Sequence, residues 1–158
     1  MPIIRASQRQ VEAIETSNPS MPNREEWISE PGGLTLFGSF IHVLQPGTRS
    51  SIKHWHQSED ELVYVLDGEI TVVEGDESHT LHPGDAATFP HDVPVGHYLW
   101  NKSASICKCL IVGTRAQVDQ IFYPDNSRIL HRDRSLPDDI WTDLQGNAAS
   151  DPYESWSP

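Results

Sequence analysis

The sequence predicts an all-β protein built as an antiparallel sandwich or barrel. Twelve prolines and ten glycines punctuate the 158 residues. Between residues 32 and 113 they flank short runs rich in valine, isoleucine, leucine, threonine and aromatic residues, which are the residue types that favour strands. About eight such runs follow one another at regular spacing, which is typical of a sandwich or barrel and argues against alternating strands and helices.

Turn residues fix where each predicted strand ends. The predicted strands cover residues 34–44 as one or two strands, then 50–56, 61–66, 69–74, 79–82, 86–89, 98–100 and 105–112. Asp67-Gly68 between two apolar runs is a strong hairpin signal. The further turns are Gln45-Pro46-Gly47, Gly75-Asp76 and Pro83-Gly84-Asp85. Strands that are joined by such tight turns lie antiparallel to their neighbours.

The length is that of one folding unit, which buries roughly two thirds of the surface of its unfolded chain. We divide it into an N-terminal arm (residues 1–33), a barrel (34–113) and a C-terminal extension (114–158). Residues 8–15 have the pattern of a short amphipathic helix, and Trp27 and Ile28 predict that the arm packs onto the barrel. The extension is rich in aromatic residues, which predicts packing on the barrel or on a partner subunit, as a wrapping tail or as a lid over a pocket.

Charge and hydropathy narrow the classes of partner. Eleven basic residues stand against twenty-three acidic ones, for a net charge of -12, and such a surface repels nucleic acid and anionic membranes. No apolar run approaches the roughly 20 residues of a spanning helix. The first residues also lack the apolar stretch of a secretory signal, so we expect a cytoplasmic protein. Cys107 and Cys109 lie two apart, which predicts reduced thiols on one face of a strand.

Histidines and a glutamate form a candidate metal site in the middle of the chain. His54 and His56 lie two apart, so on a strand both imidazoles project from one face. Glu61 follows a short polar bend, and His97 at the start of another predicted strand supplies a third imidazole. A lone His-X-His is more often a surface pair, but the added carboxylate favours a site. Three imidazoles and one carboxylate suit one divalent transition metal (zinc, nickel, iron, manganese, cobalt or copper) with positions left for a ligand.

The same residues resemble the two motifs of the cupin superfamily. The first motif matches Gly47, His54, His56, Glu61 and Gly68, and the second matches Gly84, Pro90, His97 and Asn101. The resemblance covers about residues 34–113 and extends to small single-domain bacterial cupins with a C-terminal extension. It implies a jelly-roll barrel (a double-stranded β-helix) with one metal bound inside by His54, His56, Glu61 and a third histidine.

Two departures from the family pattern bear on that third histidine. The loop from Gly47 to His54 is one residue longer than usual, which only lengthens a turn. Pro90-His91-Asp92 stands where the family has a Pro-X-Gly step, and His97 comes later than its last ligand. His97 keeps the family distance to Asn101, so we prefer it to His91, which stays the alternative. His42, His79 and His82 are interpreted as partly exposed strand histidines.

Two classes of function fit this pattern. The first is an enzyme whose metal acts on a small oxygen-rich organic molecule, by dioxygenase, decarboxylase, isomerase or lyase chemistry. The second is a non-catalytic binding or sensor protein with a structural metal. No catalytic base can be named, and His91 and Tyr98 are the nearest candidates for a proton carrier. Open sheet edges and the outer-face aromatic residues Trp55, Tyr64 and Trp100 predict a homodimer.

Overall fold

The computed structural model describes residues 3–16 and 20–158. Within these residues thirteen strands form three antiparallel sheets. The strands are β1 (Gln10–Ile14), β2 (Asn23–Trp27), β3 (Phe37–Leu44), β4 (Trp55–His56), β5 (Glu61–Asp67), β6 (Ile70–Glu74), β7 (Glu77–Leu81), β8 (Ala86–Phe89), β9 (His97–Trp100), β10 (Cys107–Thr114), β11 (Val118–Tyr123), β12 (Arg128–Asp133) and β13 (Ile140–Asp143). The helical elements are α1 (Ser29–Gly32) and the 3-10 helices Ala6–Gln8, Pro124–Asn126 and Pro152–Ser155.

The sheets enclose a jelly-roll β-barrel, as predicted. One wall is a six-stranded sheet in the order β1-β2-β3-β10-β5-β8. The other walls are a three-stranded sheet, β7-β6-β9, and a four-stranded sheet, β13-β12-β11-β4. An isolated bridge between His54 and His97 links the three-stranded sheet to the start of β4. This bridge sets two of the predicted metal ligands side by side.

Most predicted strands form where the sequence places them, and Asp67-Gly68 closes the β5–β6 hairpin. Gly68 has a φ of 79°, and a Cβ at this position would lie 2.6 Å from the carbonyl oxygen of Ile106. A residue with a side chain would therefore strain the backbone and collide with it at this turn. Gly68, the last glycine of the first motif, is thus required because the β5–β6 turn closely approaches the backbone of Ile106.

The prediction of a helix over residues 8–15 is wrong. A 3-10 turn at Ala6–Gln8 is followed by β1, which pairs with β2 from Gln10 opposite Trp27 to Ile14 opposite Asn23. Pairing along this whole strand satisfies its backbone groups and outweighs the weak helical pattern. The arm therefore adds two strands to the barrel sheet.

The predicted strand over residues 50–56 is shorter in the structure. Only Trp55–His56 forms a ladder, with β11. The Ser50 side chain accepts a hydrogen bond from the backbone N–H of Leu99 at 2.9 Å. Side-chain hydrogen bonds of this kind replace ladder bonds between main chains, which leaves bends before His54.

Two hydrophobic clusters fill the molecule. The barrel core contains Leu44, Val63, Val65, Ile70, Val72, Phe89, Leu99, Cys107, Cys109 and Ile111. A second cluster joins Ile52 of the barrel to Ile121, Tyr123 and Leu130 of the extension, with Trp141, Tyr153 and Trp156 against it. The two thiols lie on one face of β10 as predicted, buried and not joined by a disulfide, with a hydrogen bond of 3.7 Å between their sulfur atoms. No helix among the described residues is long and apolar enough to cross a membrane.

Candidate metal centre

The barrel brings the four predicted ligands together at one place. His54 and His97 form a backbone pair, with N–O distances of 3.2 and 2.8 Å in the two directions. Their ring centroids lie 5.0 Å apart, and the centroids of His54 and His56 lie 5.2 Å apart. Glu61 opens β5, and its Oε2 atom is 3.4 Å from Nε2 of His97. One ligand atom each from His54, His56 and Glu61 lies within 4.8 Å of the other two.

Hydrogen bonds orient two of the imidazoles. Nδ1 of His54 donates to the carbonyl oxygen of Ile52 at 2.8 Å, and Nδ1 of His56 is 2.7 Å from Oδ2 of Asp119. Because Nδ1 is hydrogen-bonded in both rings, Nε2 is the nitrogen that can bind a metal. A carbonyl or carboxylate behind the imidazole is the usual support of a metal-binding histidine. Asp119 is 1% exposed, and sequence analysis missed it because it lies in the extension.

The protonation states suit a metal. Burial, together with the neighbouring His97 and His56, lowers the pKa of His54 to about 3. Burial alone would raise the pKa of Glu61, but the hydrogen bond from His97 and the charges of the three histidines outweigh it and hold the pKa at about 2. At neutral pH the site therefore offers a neutral imidazole and an ionised carboxylate, as metal ligands require. This donor set fits a divalent transition metal.

A second group of possible ligands has a different explanation. His56, Glu59 and Asp119 also lie close together. Glu59 accepts hydrogen bonds from Nη2 of Arg134 at 2.8 Å and from the backbone N–H of Ala116 at 2.9 Å. Both acidic residues are thus already bonded within the protein, and Asp119 supports the first group through His56.

His91, the alternative third imidazole, lies elsewhere. Its side chain is 57% exposed, and its Nδ1 atom is 2.7 Å from Oδ1 of Asp60. His97 is 4% exposed and stacks on Phe89, with ring centroids 3.6 Å apart. The geometry therefore favours His97 over His91 as the partner of Glu61.

The four residues line a cavity of about 530 Å³, a volume that suits a small molecule. Its acidic and basic lining residues besides the histidines are Glu25, Glu59, Asp60, Glu61, Arg115, Arg132 and Arg134. The extension covers it with an aromatic cluster. The Tyr123 ring stacks 5.7 Å from His54, Tyr153 lies 5.9 Å from Tyr123, and Trp156 lies 5.3 Å from Tyr153.

The remaining wall of the cavity comes from residues that sequence analysis passed over or misjudged. Glu25 and Trp27 of β2 and His42 of β3 line it. His42 was expected to be partly exposed, but it is 3% exposed because β2 covers the edge of β3. Every second residue of β2 faces inward, namely Asn23, Glu25 and Trp27. This two-residue period is hard to recognise in the sequence because most residues of the segment are polar.

Comparisons with known proteins agree with this architecture. The family model for the Cupin domain matches residues 40–113. The crystal structure of a sugar phosphate isomerase of the cupin superfamily from Silicibacter pomeroyi DSS-3 is similar over 94% of this chain and 97% of its own, with 28% identity and a TM-score of 0.83. A putative sugar phosphate isomerase from Acidithiobacillus ferrooxidans is similar over 94% and 96%, with 24% identity and a TM-score of 0.79.

Another similar structure is a predicted oxalate decarboxylase from Thermotoga maritima, which shares the fold over 73% of this chain and 100% of its own, with 18% identity and a TM-score of 0.60. No curated protein sequence matches this chain significantly. The two motifs, the barrel topology and these similarities agree. Residues 40–113 therefore form a cupin domain within a jelly-roll barrel.

Proposed function

We propose that this protein is a metal-dependent enzyme that isomerises a small hydroxy carbonyl compound. The observation that carries the proposal is that the possible ligand atoms of His54, His56 and Glu61 cluster in the wall of the 530 Å³ cavity, which His97 also lines. A structural metal is enclosed by its protein ligands, whereas a catalytic metal adjoins a space that admits a substrate. The site thus combines metal-ligand chemistry with room for a small molecule.

The metal would be held by His54, His56, Glu61 and His97, with Asp119 orienting His56. When bound, a divalent ion supplies Lewis acidity that polarises carbonyl and hydroxyl oxygens. The candidate ions are zinc, nickel, iron, manganese, cobalt and copper, since all accept imidazole and carboxylate ligands. The protein contributes the cavity walls and the hydrogen bonds that fix the imidazoles.

Two features favour isomerisation among the reactions that the sequence left open. The protein from Silicibacter pomeroyi, which is similar over nearly the full length of both chains, is named a sugar phosphate isomerase. The cavity also combines carboxylates, hydroxyl groups and aromatic rings, a mixture that binds polar molecules with apolar faces. Sugars and related hydroxy aldehydes and ketones have this character.

Elemental analysis of the tag-free protein tests the metal site. We expect about one transition-metal ion per chain in the wild type, and loss of that ion in a His54→Ala/His56→Ala variant. A His79→Ala/His82→Ala variant is the matched control, since both of those side chains are more than 60% exposed. Metal that persists in the first variant, or absence of uptake by the wild type on titration, would contradict the proposed site.

Substrate screening tests the reaction. The metal-loaded protein is incubated with glyceraldehyde and dihydroxyacetone, and with pentose and hexose aldose–ketose pairs, each with and without a terminal phosphate. Proton NMR then measures conversion of each aldose into its ketose. A loaded protein that converts none of these compounds is not such an isomerase.

A homodimer and a cytoplasmic location stay predictions. Two of the three aromatic residues behind the dimer prediction have partners in their own chain: Trp55 stacks on Phe122 with centroids 4.2 Å apart, and Lys102 lies 4.5 Å from the Trp100 ring. Tyr64 is 39% exposed and stays available. Light scattering tests the dimer, and a single 17.8 kDa species would contradict it.

A further inference from the structure

Strand register points Glu25 into the barrel. Glu25 lies opposite His42 of β3, His42 lies opposite Cys109 of β10, and Cys109 lies opposite Val65 of β5. Residues in one such row share a face of the sheet. Because Cys109 and Val65 are fully buried, the row faces the interior. Glu25 and His42 accordingly line the same cavity as the metal ligands.

Two buried polar atoms lie next to Glu25. Trp27 is two residues further along β2, and its ring lies 4.6 Å from that of Phe40. In the described part of the chain, Nε1 of Trp27 and Nε2 of His42 are buried and have no hydrogen-bond partner. Buried polar groups nearly always have partners, so these two nitrogen atoms are candidates for hydrogen bonds to a ligand.

The carboxyl of Glu25 also lacks a partner. Among the described residues, none donates a hydrogen bond to it or pairs with it as a cation. The titratable groups that face it are Glu12 from β1, His42 from β3, Glu61 from β5 and Tyr153 from the last 3-10 helix. Burial is the largest influence and raises the pKa of Glu25 to about 7, with further contributions from Glu12 and Glu61. Near neutral pH this carboxyl can therefore take up and release a proton.

We propose that Glu25 is the catalytic residue that moves the proton in the isomerisation, and that Trp27 and His42 bind the substrate's hydroxyl oxygens beside it. This proposal rests on the proposed function. It assigns the chemistry to β2, a strand outside the region that matches the family model. Trp27 would donate from its indole N–H, and His42, whose pKa burial lowers to about 4, would act as a neutral imidazole.

The proton transfer balances without any other reactant. The Glu25 carboxylate takes the proton from the hydroxyl-bearing carbon next to the carbonyl. The electron pair of that C–H bond forms a carbon–carbon double bond, and the carbonyl π pair moves onto oxygen. Glu25 returns the proton to the former carbonyl carbon, while the proton of the first hydroxyl passes to the other oxygen. An aldose thereby becomes the isomeric ketose.

The charges of the cavity indicate which part of a substrate this wall accepts. Arg115 forms an ion pair with Glu30, Arg132 lies 2.9 Å from Asp139, and Arg134 lies 2.8 Å from Glu59. Each lining arginine is thus already paired, whereas Glu25 is not. A phosphate placed beside Glu25 would be repelled, so the uncharged hydroxyl-bearing part of the molecule belongs there.

The test compares Glu25→Gln with Glu26→Gln. Glu26 is the matched control because it lies on the opposite face of the same strand and pairs with Arg9 at 2.9 Å. Each metal-loaded variant is incubated in D2O with glyceraldehyde, dihydroxyacetone and their phosphates. Proton NMR measures both exchange of the carbon-bound hydrogen and formation of the isomer, and elemental analysis measures the metal.

We expect Glu25→Gln to lose exchange and isomerisation by about a hundredfold or more, with unchanged metal content. Glu26→Gln should stay within about twofold of the wild type, since Glu26 is not among the residues that line the cavity. Trp27→Phe keeps an aromatic ring but lacks the N–H donor, so its KM should rise about tenfold, with a smaller change in kcat. These results together would support both roles.

Measuring hydrogen exchange and isomer formation separately distinguishes failure of the Glu25 proposal from failure of the proposed function. Exchange that survives in Glu25→Gln overturns the role of Glu25 and leaves the proposed function standing. Exchange by the wild type without any isomer, lost in Glu25→Gln, overturns the proposed reaction and supports Glu25 as the proton carrier. A wild type that holds metal and shows neither exchange nor isomerisation overturns both proposals.

Discussion

Replacing Asp119 by asparagine tests whether a buried carboxylate sets the affinity of the site for metal. Oδ2 of Asp119 lies 2.7 Å from Nδ1 of His56, and Oδ1 accepts from the backbone N–H of Ser58 at 2.8 Å. Asparagine has the same shape but only one acceptor oxygen. If that oxygen keeps its bond to Ser58, the amide nitrogen faces Nδ1 of His56, and two donors then point at each other.

The hydrogen bond between Asp119 and His56 determines how much metal affinity the variant should lose. A hydrogen bond to a charged group contributes about 1.5–3 kcal/mol. Replacing a carboxylate that supports a metal-bound histidine lowers metal affinity by about 10–100-fold. The two ranges agree, because tenfold in affinity corresponds to about 1.4 kcal/mol. We therefore expect Asp119→Asn to bind metal about 10–100-fold more weakly than the wild type.

A chelator competition titration with zinc or cobalt at neutral pH measures this affinity. Asp143→Asn is the matched control, since Asp143 likewise accepts a backbone hydrogen bond, from Gln145 at 2.9 Å, but lies at the end of β13 and does not line the cavity. Its affinity should equal that of the wild type. Urea unfolding of the metal-free proteins reports stability separately. Wild-type affinity in an Asp119→Asn variant that unfolds more easily would refute the reasoning and leave Asp119 a purely structural role.

Three further predictions concern stability and the choice of ligand. Burial raises the pKa of Glu25 from 4.5 to about 7, so ionisation of Glu25 costs stability as the pH rises through that window. Glu25→Gln should therefore gain about 3 kcal/mol over the wild type in urea unfolding at pH 8 and none at pH 4. Elemental analysis should show that His97→Ala loses the metal and that His91→Ala keeps it. Metal loss in His91→Ala alone would make His91 the third histidine ligand. Gly68→Ala should lower the free energy of unfolding by about 1–3 kcal/mol because it forces a strained φ, and an unchanged urea midpoint would contradict this.

The sequence was sufficient for the parts of the site that local spacing determines. The two-residue period of His54 and His56 and the turn residues around them follow from rules of strand geometry. The same rules predicted most strands between residues 34 and 113. Contacts between distant segments were beyond such rules: Asp119 reaches His56 across more than sixty residues.

The flanking segments were harder because their strands depend on pairing partners. β2 consists largely of polar residues, so its alternation is visible only once β3 lies beside it. The strands β11, β12 and β13 were not predicted, since charged and aromatic residues are mixed within them. Strands of this kind form because neighbouring strands satisfy their backbone groups, and their own propensity is weak.

The backbone pair between His54 and His97 affects how the metal is exchanged. These two ligands lie about forty residues apart, and joining them closes a loop at an entropic cost of about 3 kcal/mol. Folding of the barrel strands already closes this loop, so the imidazoles are in place before an ion binds. In zinc fingers, by contrast, the ion itself drives folding. We therefore expect a folded metal-free protein, in which cobalt can replace the native ion for spectroscopy without refolding.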